Sequence, residues 1–91
     1  MSEPEPERDA VDSRRRRLLY RATHRGTKEN DVLIGGFVAR RISLFSGAEI
    51  DALERLLELP ENDLADWLTG RRAIPPEADT PMLREIRDSL R

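Results

Sequence analysis

Apolar residues recur along most of this chain at the spacing of helical turns, and no run shows the strict alternation of a half-buried strand. The clearest example is "SGAEIDALERLLEL", in which isoleucine and leucine return every three or four residues. Ser46 and Glu49 stand at the spacing of a reciprocal capping box, and Pro60 stops the segment. We therefore predict a helix that begins just after Ser46 and ends before Pro60.

Two further short helices are predicted in the C-terminal third of the chain. "ENDLADWLTG" places Trp67 on an apolar stripe, where an indole is more often core than binding site, and Gly70 ends that helix. "RRAIPPEAD" is a connector, because its two prolines favour an extended backbone. Thr80 followed by Pro81 is a typical helix start, and the apolar residues after it repeat at helical spacing.

The N-terminal half predicts two helices joined by a tight corner. The first begins near Ser13, whose hydroxyl is able to cap free amides, and it ends at Arg25. Gly26 follows, where a left-handed backbone favours glycine. Thr27 then caps a second helix that runs to about Arg41, with acidic residues in its first turn. The whole pattern predicts an all-α fold, a small compact bundle of about five short helices.

Within the second helix, Val32, Leu33, Gly36 and Phe37 repeat at helical spacing and predict its apolar side. The adjacent glycines, Gly35 and Gly36, each cost about 1 kcal/mol relative to alanine in a helix interior. Such a pair indicates the close approach of another helix or a break in this one.

The composition divides the chain into a tail and one domain. Residues 1–12, "MSEPEPERDAVD", hold five acidic residues against one arginine, and too few apolar groups to offset the entropy of ordering. We predict a disordered acidic tail there and a helical domain over residues 13–91. The tail is unlike a transit peptide or a secretion signal, which predicts a protein of the bacterial cytoplasm.

Several other classes of function find little support in the residues. There is no cysteine, and the longest apolar run, "VLIGGFVA", is short of the ~20 residues of a membrane-spanning helix. His24 is the only histidine; no catalytic arrangement follows from its spacing, and at a helix C-terminus it suits the last carbonyl groups. "IGGF" lacks the glycine pattern and the lysine of a phosphate loop. We therefore expect no enzyme, no metal site and no membrane insertion.

The strongest charged feature is the arginine run Arg14–Arg17, which Arg21 continues. Residues 14–41 hold nine bases against two acids, whereas residues 42–91 hold six bases against eleven acids. The run is compatible with a solvated face, with docking to a protein, or with salt-dependent contacts to nucleic-acid phosphates. No helix combines these bases with Asn or Gln at base-reading spacing, so nucleic acid is the least favoured of the three.

The stretch "HRGTKEND" admits two interpretations. In the first interpretation it is only the connection between two helices, because its glycine ends one helix and its threonine begins the next. In the second, Arg25 beside Glu29 and Asp31 forms a surface with both signs of charge, on which arginine clamps a partner carboxylate through two hydrogen bonds. Tyr20 and Arg21 point away from the apolar side of the first helix and are candidates for the same exposed surface.

A resemblance to a known family favours the second interpretation, in which this stretch is a recognition surface. "RLLYRATHRGTKENDVLIGGF" resembles the succinate dehydrogenase assembly factor family, the flavinylation factors of bacteria and mitochondria, whose signature is R-G-x-x-E. Arg25, Gly26 and Glu29 match that signature. A second block, "LLELPENDLADWLTG", is similar to the family's leucine pair, acidic proline turn and tryptophan–leucine helix. The two blocks lie in the expected order and cover about residues 17–70.

The resemblance implies a bundle of five helices that binds the flavoprotein subunit of succinate dehydrogenase, and often that of fumarate reductase. It implies an assembly chaperone that promotes covalent attachment of FAD to a histidine of this client; FAD then belongs to the client, and this chain binds no cofactor stably. We also expect a monomer. The predicted client-binding residues are Arg25, Gly26, Glu29, Asp31, Arg21 and Tyr20.

Three positions depart from the family pattern. Thr27 stands where relatives often have methionine, so it loses an apolar contact and supplies a helix cap. Ala65 stands where an aromatic residue is common, and His24 where a base is common.

Overall fold

The helices predicted from the sequence are present in the structure. The computed structural model describes residues 6–90, and the side chains of residues 10–90. Within these residues the chain is all-α, as predicted, with short connections and two 3-10 turns at Ile42–Leu44 and Pro76–Ala78. The five α-helices are α1 (Pro6–Thr23), α2 (Lys28–Arg41), α3 (Gly47–Leu57), α4 (Glu61–Thr69) and α5 (Pro81–Ser89).

Local signals determine most of the helix ends. The hydroxyls of Thr27 and Thr80 cap α2 and α5, each accepting a hydrogen bond from a backbone amide three residues on. The predicted capping box before α3 is complete, since Ser46 and Glu49 accept from each other's backbone amides. Glycines with positive φ follow α1 and α4, 98° at Gly26 and 81° at Gly70.

The first helix is longer at its start than predicted, because α1 begins at Pro6 and not near Ser13. Proline is tolerated in a first helical turn, where its missing amide has no partner to lose. Asp12 also supports the helix, with its carboxylate 3.4 Å from the Arg15 guanidinium one turn later. Of the predicted acidic tail, residues 1–5 lie outside the described residues, and residues 6–12 are helical. The helix also ends at Thr23, two residues before the predicted end.

The buried side of α2 also differs from the prediction. Val32 is 65% exposed, whereas Ile34, Phe37 and Val38 are buried together with Gly35. Of the predicted stripe, Phe37 is buried and Leu33 packs against the core, whereas Val32 faces solvent. The reason is tertiary: α2 packs against α1, α4 and α5, so that the neighbours, and not the best local pattern, decide which residues face the core.

A single apolar core joins all five helices in the described residues. Leu18 and Ala22 of α1 are buried in it, as is Trp67 of α4, for which the core role was predicted. Phe37 of α2 packs at 6.3 Å from Phe45, ring centroid to ring centroid. No described helix combines the length and the apolar character that crossing a membrane requires.

Gly35 lets α1 and α2 approach closely, as the glycine pair indicated. A Cβ atom at this position would lie 2.9 Å from Thr23 Cγ2 and 3.2 Å from the backbone oxygen of Ala22. Gly36 has no such constraint, because its nearest neighbour would be the Arg40 guanidinium at 3.7 Å. Only the first of the two glycines is therefore required by packing.

We predict opposite effects for alanine at the two glycines. Gly35→Ala places a methyl group against the backbone of α1, so this substitution should lower the free energy of unfolding by about 1–3 kcal/mol. Gly36→Ala should raise it by up to ~1 kcal/mol, because alanine is the better helix former. Thermal denaturation followed by circular dichroism measures both. Equal shifts of the melting temperature in the two variants would show that α1 and α2 are not in close contact here.

Candidate functional site

The corner between α1 and α2 is held by a hydrogen bond between its two arms. The Asp31 carboxylate accepts from the backbone amide of Arg25 at 2.6 Å. The backbone amide of Asp31 in turn donates to the Thr27 carbonyl oxygen at 3.0 Å. Asp31 therefore fixes the path of residues 25–27 into α2, and Gly26 stands at the tip with open space where a side chain would begin.

The Arg25 side chain points into the protein. Its guanidinium donates to the carbonyl oxygens of Leu57 (2.8 Å) and Leu59 (3.2 Å), at the C-terminal end of α3. Its Nε lies 2.9 Å from a carboxylate oxygen of Glu61, and only 6% of the side chain is exposed. A cation suits this place, because the last carbonyls of a helix carry partial negative charge. The guanidinium of Arg25 therefore faces the interior of the bundle in this structure, whereas the sequence predicts an exposed position for it.

The carboxylate of Glu61, in the first turn of α4, contacts three side chains of the corner. One carboxylate oxygen pairs with Arg25, and the other accepts from the Thr27 hydroxyl (3.0 Å) and the Asn30 side-chain amide (3.1 Å). Asn30 is fully buried and also donates to the Glu61 backbone carbonyl at 2.9 Å. Thr27 thus has a second role besides capping α2.

Neither Asn30 nor Glu61 was singled out from the sequence. A signal for Asn30 was present, because it precedes Ile34 by four residues and Phe37 by seven and so shares their side of α2. A polar residue on a buried helix side requires a hydrogen-bond partner. No comparable local signal marks Glu61, since its partners are about thirty residues away in sequence.

The remaining candidates point outward. Glu29 lies on the exposed side of α2, where its carboxylate pairs with Arg71 at 3.1 Å. Tyr20 is 64% exposed and stacks on His24, with the ring centroids 4.1 Å apart and the ring planes at 14°. His24 Nδ1 lies 2.9 Å from the Tyr20 carbonyl oxygen, so the histidine sits against the end of α1 as predicted. Arg21 is exposed beside them.

The arginine run is divided between the interior contacts of the bundle and its surface. Arg14 donates to Asp51 and Glu54 of α3, and the hydrogen bonds to Glu54 and then Asp51 raise the pKa of its guanidinium above the ordinary value. Arg15 donates to the carbonyl oxygens of Ile42 and Phe45. The outward members of the run line one shallow depression on α1 with the stacked tyrosine: Arg16, Arg17, Tyr20 and Arg21.

A groove of about 350 Å³ lies between the start of α2 and the exposed side of α4. Arg71, just after α4, bridges its two walls, with one guanidinium nitrogen 3.1 Å from Glu29 and another 3.4 Å from Asp66. No group of three or more described His, Asp or Glu side chains is arranged to hold a metal ion. The groove is lined by Thr27, Glu29, Asn30, Glu61, Asn62, Ala65, Asp66 and Arg71.

Fold and site together describe a small helical protein with a charged corner that is held by buried polar contacts. The family model described as flavinator of succinate dehydrogenase (Sdh5) matches residues 16–90. The chain belongs to this family. The matched region contains the whole corner and the α4 turn that holds it.

Curated proteins similar to this chain are named as assembly factors. It is 47% identical over 83 residues to the FAD assembly factor SdhE of Acetobacter pasteurianus, which is 91% of this chain and 76% of the relative. It is 32% identical over 85 residues to the mitochondrial succinate dehydrogenase assembly factor 2-B of Drosophila persimilis. That match covers 91% of this chain and 54% of the relative, so the chain spans about half the length of the mitochondrial protein.

We predict that alanine substitutions at Arg25 and at Glu29 have different effects on the free energy of unfolding. Arg25→Ala removes the partner of a largely buried pair and leaves two carbonyls without donors, so it should lower the free energy of unfolding by about 2–4 kcal/mol. Glu29→Ala removes an exposed carboxylate in a first helical turn and should cost only ~0.3–1 kcal/mol. Urea denaturation of both variants tests this. A loss at Glu29 as large as that at Arg25 would contradict the division of the signature into inward and outward residues.

Proposed function

We propose that this protein is an assembly factor that binds the flavoprotein subunit of succinate dehydrogenase and promotes covalent attachment of FAD to that subunit. The observation that carries the proposal is the family match over residues 16–90. The matched region includes the R-G-x-x-E stretch at the corner and the first turn of α4, where Glu61 contacts it. The 47% identity to a bacterial FAD assembly factor supports it over nearly the whole chain.

The client-binding surface in this proposal is the outward side of the corner. Glu29 and the exposed tip at Gly26 make contact, and Tyr20 and Arg21 extend the surface along α1. Exposed charges together with an exposed aromatic ring favour a specific polar interface. Arg25, for which direct contact was expected, acts from inside in this proposal by fixing the backbone of the tip.

Asp31 has the same internal role as Arg25. One of its carboxylate oxygens accepts the Arg25 amide at 2.6 Å, so Asp31 holds the corner in shape. A recognition surface supported by such contacts loses little conformational entropy on binding, which favours affinity.

The proposed mechanism is preorganisation of the client without catalysis by this chain. Binding to the flavin domain holds the client histidine near the flavin methyl carbon, and this lowers the entropic cost of reaching a reactive geometry. FAD belongs to the client in this proposal, and the covalent bond forms there. We further propose a monomer of the bacterial cytoplasm that also serves the flavoprotein subunit of fumarate reductase.

The test is in-gel flavin fluorescence of the succinate dehydrogenase flavoprotein subunit, produced with and without this protein in a host that lacks its own factor. Covalent flavin should rise with the native protein. With Glu29→Ala it should fall severalfold, because an interfacial charge is lost while the fold is kept. Circular dichroism of each variant establishes that it folds.

The matched control is Glu85→Ala, which removes an equally charged, exposed side chain from α5, away from the corner. It should flavinylate the client as the native protein does. Equal flavin in all samples, including the sample without this protein, would contradict the proposed function. Equal loss in both variants would show that net charge matters and not the corner.

A second candidate function is nucleic-acid binding by the outward arginines Arg16, Arg17 and Arg21, which share one face of α1 with Tyr20. We do not favour it, since Arg14 and Arg15 are held by contacts within the bundle. Fluorescence anisotropy with non-specific duplex DNA should show no binding at about 0.15 M salt. Tight binding with a steep salt dependence would instead favour this second candidate.

A further inference from the structure

The groove between α2 and α4 already holds a guanidinium group. Arg71 reaches across from the end of α4, and its two terminal nitrogens approach carboxylates on opposite walls, Glu29 at 3.1 Å and Asp66 at 3.4 Å. Its backbone is fixed by Gly70, which ends α4 with a φ of 81°. The groove therefore has the geometry to place a planar cation between two helices.

This internal occupant is weakly held. The Arg71 side chain is 57% exposed and the Glu29 side chain 44%, and each contact joins a single nitrogen to a single oxygen. Exposed ion pairs of this kind contribute little to stability, because water screens them. Arg25, by comparison, is 6% exposed and makes two further hydrogen bonds. Of these two arginines, Arg71 is the one that another cation is able to displace at a small cost in free energy.

The charge on the walls favours a cation as that competitor. Glu61 is balanced from inside by Arg25, and Asp66 also pairs with Arg72 at 2.9 Å. Among the described residues, Arg71 is the cation that reaches Glu29. When Arg71 leaves, the Glu29 carboxylate is free to pair with a cation supplied from outside.

The groove lining also contains a buried polar side chain, that of Asn30. Asn30 is fully buried, and its side-chain amide nitrogen is used by Glu61. Its side-chain oxygen has no hydrogen-bond donor among the described residues. A buried oxygen without a donor carries a desolvation cost, so the Asn30 amide is a polar group of the groove lining whose hydrogen bonds are incomplete.

We propose that the groove receives an arginine side chain of the client flavoprotein subunit, and that Arg71 occupies this place in the free protein as a displaceable latch. The inference rests on the proposed function for the identity of the partner. Arginine fits better than lysine, because a planar fork bridges two separated carboxylates whereas an ammonium is a compact point charge. The groove thus extends the client-binding surface from Glu29 towards α4.

The first test is the affinity of the client flavoprotein subunit for latch variants, measured by isothermal titration calorimetry. Arg71→Ala should bind about two- to fivefold more tightly than the native protein, the factor that corresponds to one exposed ion pair. The matched control is Arg84→Ala, which removes an arginine paired with Asp79 at 3.0 Å outside the groove and should leave affinity unchanged. Adding Glu29→Gln to Arg71→Ala should abolish the gain.

Three results would overturn the latch. They are unchanged binding by Arg71→Ala, weaker binding by Arg71→Ala, and an equal gain in the Arg84→Ala control. If the native protein binds the client and the latch variant behaves like it, the proposed function stands and the latch fails. If no protein binds the client, the proposed function fails, and a second measurement still decides whether the groove takes a guanidinium group.

That second measurement uses guanidinium chloride as the probe, at low and non-denaturing concentration, with potassium chloride as the matched salt. Nuclear magnetic resonance shifts of the Asn30 side-chain amide and the Glu29 backbone amide report on the groove. In Arg71→Ala both should move saturably with guanidinium and not with potassium, whereas in the native protein the change should be smaller. Absence of a guanidinium-specific shift in Arg71→Ala would overturn the proposed groove site.

Discussion

The Glu61 carboxylate is the interaction on which the rest of the corner depends. It stands at the start of α4 and meets Arg25, Thr27 and Asn30 from the α1–α2 corner. Arg25 carries the connection on to the end of α3 through the Leu57 carbonyl oxygen. Because a buried polar group that loses its partner is costly, this one carboxylate helps to fix the relative positions of three chain segments.

This constraint explains why the signature stretch contains residues with different roles. Arg25, Asn30 and Asp31 each make contacts inside the protein, whereas Glu29 lies between them in sequence and points outward. Consecutive helical positions face different directions, so a short stretch can both build a support and display a recognition group. A recognition surface needs such support, because a loosely held charge contributes less to a specific contact.

Glycine contributes to the same design at two places for two reasons. Gly26 provides the left-handed backbone at the tip of the corner, where no neighbouring atom limits the space. Gly35 instead removes a side chain so that α2 can lie against Thr23 and Ala22 of α1. The first is a conformational requirement and the second is a packing requirement. Together they determine the angle at which the signature stretch leaves α1.

The sequence by itself determined the features that depend on near neighbours. The caps at Thr27, Ser46 and Thr80, the glycine end of α4 at Gly70 and the left-handed backbone of Gly26 follow from contacts within a few residues, and the structure has each of them. The two blocks of family resemblance, read together, identified the family. The exposed position of Tyr20 and the core position of Trp67 also followed from helical spacing.

Only the tertiary structure decided which side of α2 is buried and what Arg25 does. Val32 fits a local apolar stripe, yet α1, α4 and α5 leave it in solvent. Arg25 resembles a surface charge until the end of α3 and Glu61 are placed beside it. The partners of Arg25 are more than thirty residues away in sequence, so no local pattern indicates that they are close in the fold.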